Sequence, residues 1–87
     1  MQPINLQITF ADGSTAVVST TAADFIAFEA HFDRSIAILS TDARLTYMFY
    51  LAYSAQLRTG ATEKTFDEWV TNVTMIGEPE NPKESKA

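Results

Sequence analysis

The chain has 87 residues, enough for one domain with a modest core, because chains of this length bury only roughly 60 to 65% of the surface that they expose when unfolded. Six Lys and Arg against eleven Asp and Glu leave a net charge of −5, a field that repels phosphate backbones and anionic membrane surfaces and argues against both as partners. There is no cysteine, which excludes disulfides, thiolate nucleophiles and thiolate metal sites and fits a reducing cytoplasm.

Hydrophobic content of 46% beside 20% charged residues predicts a folded domain rather than a disordered chain. The opening MQPINLQ lacks the basic start and apolar run of a secretory signal. The longest apolar run, Tyr47 to Tyr53, falls far short of the ~20 residues that span a bilayer.

In chain order, Ile4, Leu6, Ile8 and Phe10 alternate with Asn5, Gln7 and Thr9, the period of a half-buried strand. Asp12-Gly13 supplies a tight turn, and Thr15 to Thr20 is rich in β-branched residues, so the first twenty residues read as a β-hairpin that must lie on helices to be stable. Thr20 or Thr21 can cap a helix over about residues 22 to 32, with Asp24 at its positive end and Phe25, Ile26, Phe28 and Phe32 on its apolar side. Residues 33–40 fit a helical extension or a short extended segment equally well.

The central helix spans Asp42 to Arg58, capped by Ser40, Thr41 or Asp42 and closed by Gly60. Leu45, Met48, Phe49, Leu51, Ala52 and Ala55 share one broad face, while Tyr47, Tyr50, Tyr53 and Leu57 fall largely on the other. Thr65-Phe66-Asp67-Glu68 matches the capping box. Phe66, Trp69, Val70, Val73 and Ile76 then recur at helical spacing, which predicts a third helix of about three turns ended by Gly77. The remainder has two prolines and no large apolar residue, the composition of a flexible polar tail over residues 77–87. The expected fold class is therefore α+β: a single domain over residues 1–76, in which an N-terminal β-hairpin is followed by a small three-helix bundle.

Chemistry has little to stand on. His31, the only histidine, has no second histidine one helical turn away and reads as structural. Asp67 and Glu68 diverge by about 100° on a helix and are explained by its N-terminus. No nucleophile elbow or phosphate-cradling glycine loop occurs, and the sequon Asn72-Val73-Thr74 falls within the expected third helix. The reading is a non-enzyme with no catalytic residue, cofactor or metal. The best candidate for function is the second side of the central helix. Tyr47, Tyr50, Tyr53 and Leu57, with neighbouring Phe25, Phe28 and Trp69, offer rigid apolar area with polar handles, suited to a partner protein or a second copy of the chain. The alternative is that the hairpin or the last helix covers this side as ordinary core.

One resemblance sharpens that reading. Asp24-Phe25-Ile26-Ala27-Phe28-Glu29, Phe32, Arg44-Leu45 leading into Phe49-Tyr50-Leu51-Ala52-Tyr53, then Leu57-Arg58-Thr59-Gly60 and Phe66-Asp67-Glu68-Trp69-Val70, in that order and spacing, resemble the small tail assembly chaperones of long-tailed bacteriophages. The likeness covers about residues 22 to 76 and departs at Tyr53, where a tryptophan is usual, and at Ala30-His31, where a basic residue is common. It implies a non-catalytic protein of the host cytoplasm that binds the tape-measure protein and helps tail-tube subunits assemble around it. It also implies a longer frameshifted form, for which Asn81-Pro82-Lys83 can be encoded as a slippery run of codons. A small structural virion component of the tail or connector is the alternative, and an acidic mimic of nucleic acid a weaker one, because the carboxylates form no dense stripe.

Overall fold

The computed structural model describes residues 4–42 and 44–79, and its element order is β1 (Asn5–Phe10), β2 (Thr15–Ser19), α1 (Ala22–Phe32), a 3-10 turn (Ile36–Ser40), α2 (Leu45–Arg58), α3 (Phe66–Val70) and β3 (Val73–Gly77). The hairpin forms where the alternation places it. Gly13 takes the left-handed conformation at φ 90°, and Asp12 Oδ1 accepts from the Ser14 N–H at 2.9 Å and from the Ser14 hydroxyl at 2.6 Å, closing the turn. β1 pairs antiparallel with β2, Leu6 opposite Val18 and Ile8 opposite Ala16, which puts its even-numbered side chains on the helix-covered face.

The third strand corrects the sequence reading. α3 is five residues long, and the second half of the expected helix leaves it to become β3, antiparallel to β1 with Ile76 opposite Ile8. The sheet order is β2-β1-β3, so the helices pack on a three-stranded sheet and the expected bundle is not the architecture. The apolar spacing was real, because Trp69 and Ile76 are buried, with Phe66, Val70 and Val73 packed beside them. What decides the backbone is that Thr71, Val73, Thr74 and Ile76 are β-branched, which suits a strand more than a helix, and β1 has an unpaired edge that needs hydrogen-bond partners.

Helix ends follow local chemistry. Asp24 Oδ2 accepts from the Thr21 N–H at 2.9 Å at the start of α1, and Thr65 and Glu68 exchange the two expected capping contacts at the start of α3. At the end of α2, Gly60 (φ 81°) lets the Ala61 N–H reach the Gln56 carbonyl at 2.8 Å and the Gly60 N–H reach Leu57 at 3.2 Å, a Schellman pattern. The α2 start differs from expectation. Arg44 flanks it without a side-chain cap, and the Asp42 carboxylate instead accepts from Arg44 Nε at 2.8 Å. The undecided stretch after α1 is neither of its two alternatives: Asp33 turns left-handed at φ 54°, and a 3-10 turn follows, with Ile36 N–H held by Glu29 Oε2 at 2.8 Å.

α2 packs against α1, α3, β2 and β3, and so occupies the centre. The core gathers Leu6 and Ile8 from β1, Phe25 and Phe28 from α1, Tyr47, Leu51, Ala52 and Tyr53 from α2, Trp69 from α3 and Ile76 from β3. Among the described residues no helix is long and apolar enough to cross a membrane. Of the expected tail, Gly77 ends β3, Glu78 and Pro79 carry no regular structure, and residues 80–87 lie outside the described residues, as do the slippery codons' residues.

Candidate protein-binding surface

Five of the seven sequence-chosen contact residues are in the core. Phe28 is 0% exposed, Trp69 3%, Tyr53 7%, Tyr47 8% and Phe25 8%. Tyr50 is half-buried, and Leu57 remains open. The tyrosine side of α2 faces inward because the rings of α1 and α3 need cover and find it there. Phe28 meets Tyr47 edge-on at 5.2 Å between centroids, Phe32 meets Tyr50 at 5.4 Å, and Phe66 meets Tyr50 at 5.3 Å and Tyr53 at 5.5 Å. His31, exposed, stacks on Tyr50 at 4.3 Å.

The polar handles are used internally as well. Tyr53 donates to the Lys64 carbonyl at 2.6 Å, and Trp69 Nε1 donates to Gln56 Oε1 at 2.9 Å. Burial, then the neighbouring Tyr53, holds the Tyr50 phenol above its ordinary pKa, so it stays neutral across physiological pH. As a continuous docking face the tyrosine side is closed in the folded monomer. A partner could meet Tyr50 and Leu57 but not the five enclosed rings.

The open apolar surface is on the aliphatic side instead. Leu45 is 59% exposed, and with Phe49 one turn on it faces a matching pair one turn apart on α3, Phe66 and Val70. These four, with Thr46 and Asp67 at the rim, line a groove of about 340 Å³. The sequence pattern puts Leu45 and Phe49 on the broad apolar face of α2, opposite the side chosen as the candidate contact surface. The signal that could have found the groove is the pair of short i, i+4 apolar ladders at the free start of one helix and along the whole of a very short one. A second concavity of about 360 Å³ between Phe10, Gln56, Thr62, Lys64, Trp69 and Asn72 is more polar. Asn72 of the sequon is exposed at the α3–β3 junction, not inside a helix.

Among the described residues one carboxylate is buried, and it is fully engaged. Asp24, 1% exposed, accepts from Ser54 Oγ at 2.7 Å and from Arg58 Nη2 at 3.1 Å as well as from Thr21. Burial pushes its pKa up, but the Arg58 guanidinium, the Ser54 hydroxyl and the Thr21 N–H outweigh that and hold it below the ordinary carboxylate value. Among the described residues no three His, Asp or Glu side chains gather where they could hold a metal ion. In comparisons with known protein families, curated proteins and solved structures, nothing matches this chain.

Proposed function

We propose that the chain is a non-catalytic tail assembly chaperone of a long-tailed bacteriophage, acting in the host cytoplasm by reversible capture of the tape-measure protein while tail-tube subunits assemble. The order of motifs from Asp24 to Val70 supports the family, and the observation that carries the mode of action is the open apolar groove of Leu45, Phe49, Phe66 and Val70 on an acidic domain. Its guest is an amphipathic helix of the tape-measure protein that lays apolar side chains spaced i, i+4 between the two ladders and sets a basic residue near Asp67. Burying two guest side chains contributes roughly 1.5–3 kcal/mol each, little more than the cost of association, so the groove by itself holds its guest weakly enough for release when the tube closes around it.

Co-expression with the tape-measure protein, followed by titration of the purified pair, tests this. Leu45→Ser and Val70→Ser should each weaken capture about tenfold, the loss of roughly 1.4 kcal/mol of apolar burial. Undiminished capture by both variants would remove the groove from the reading. Stoichiometric amounts of the chain in purified virions would favour a structural tail or connector subunit instead.

A further inference from the structure

We propose that the outer edge of β2 is a self-association site at which two copies of the chain join their sheets across a twofold axis. The register fixes which backbone groups of β2 face away from β1. Thr20 N–H bonds to the Ile4 carbonyl and Phe10 N–H to the Ser14 carbonyl, so the even-numbered residues of β2 face β1 and Thr15, Val17 and Ser19 point their N–H and C=O groups outward. Among the described residues the side-chain donor to this edge is Arg58, which reaches the Ser19 carbonyl at 3.0 Å and marks its end.

The two edges of the sheet are treated differently. β3 carries the usual devices against pairing, a register shift opposite Thr9 and Phe10 and then Glu78 and Pro79 directly after the strand. β2, TAVVS, has no charge, no proline and no bulge, and its Val17 is 60% exposed. Charge selects the same place. Of the residues from Ile4 to Thr20 only Asp12 is charged, at the turn, so two copies of a chain of net charge −5 meet here with least repulsion. The occupant is a second copy because the edge is complementary to itself. With Val17 opposite the partner's Val17, Thr15 falls opposite the partner's Ser19, every outward donor meets an outward acceptor, and the two valines touch on the outer face. The result is a continuous six-stranded antiparallel sheet. This site lies apart from the groove and does not rest on the chaperone reading.

Sedimentation equilibrium on the full chain, with amide hydrogen exchange, tests it. The weight-average mass should rise from the monomer toward twice that value with concentration, and the Val17 and Thr15 amides should exchange freely in dilute samples and slowly in concentrated ones. Val17→Pro removes an outward N–H without taking one from the β1 ladder, and Val17→Lys adds a repelling charge. Each should keep the far-UV spectrum and stay monomeric, whereas Leu45→Ser should dimerise like the parent. A parent chain that is monomeric at millimolar concentration would overturn the proposal. So would a dimer that survives Val17→Pro or is lost in Leu45→Ser, or Val17 exchange that is independent of concentration.

Discussion

Asp24 holds a charge where almost no solvent reaches, and four contacts make that tolerable: the N–H of Thr21 just before its own helix, Ser54 and two nitrogens of Arg58 on α2. Its sequence position at a helix start accounts for the first of these, but Ser54 and Arg58 lie 30 and 34 residues away and carry no local signal. Asp24→Asn keeps the shape and removes the charge, and Arg58, a third exposed, can turn to water, so the expected loss of stability at pH 7 is about 1.5–3 kcal/mol by denaturant unfolding. Because the folded-state pKa of Asp24 is lowered, its contribution is complete above the unfolded carboxylate value of about 3.9 and fades as pH falls from there through the lower folded value. The gap between parent and Asp24→Asn should therefore narrow below about pH 4, and a gap unchanged at pH 3 would show that packing, not charge, sets it.

At the level of elements, the chain is most legible where one residue type answers one backbone demand. Gly13, Gly60 and the Thr65–Glu68 box sit where the sequence places a turn, a helix end and a helix start. A Cβ at Gly60 would meet nothing within 4 Å, so Gly60→Ala tests conformation alone, and the left-handed φ should cost about 1 kcal/mol in thermal or denaturant unfolding, with Gly60→Asn costing less. No loss in either variant would mean that the Schellman contacts re-form without a positive φ. The last element was misread for a reason that the structure makes plain. Phe66, Trp69, Val70, Val73 and Ile76 all pack inward, and a one-turn helix running into a strand presents the same set as a three-turn helix would. Periodicity reports which residues turn inward, whereas the hydrogen bonds of a distant strand decide how the backbone carries them there.

Across the whole molecule, core and groove are continuous through one ring. Phe66 touches Tyr50, Tyr53 and Trp69 on its inner side and lines the open groove on the other. Phe66→Ala should thus lower both stability, by about 2 kcal/mol, and guest capture, whereas Leu45→Ser at an exposed position should change stability by less than about 0.5 kcal/mol while weakening capture. Unfolding curves measured beside binding titrations check this split, and equal stability losses in the two variants would argue that Leu45 is core after all.

The sequence by itself determined the hairpin, the span of α1, the end of α2, the helix-terminal contacts at Gly60 and Thr65, and the lack of any histidine, cysteine or glycine motif for chemistry, because each is a matter of neighbours within a turn or two. Only the tertiary structure decided that the last segment pairs with β1, that the tyrosine side of α2 faces the rings of α1 and α3, and that the opening lies beside Leu45 and Val70. A helix apolar on two sides can close either one, and which side is covered depends on where the other elements bring their bulk. That is settled by contacts between residues far apart in the chain, and no local pattern records it.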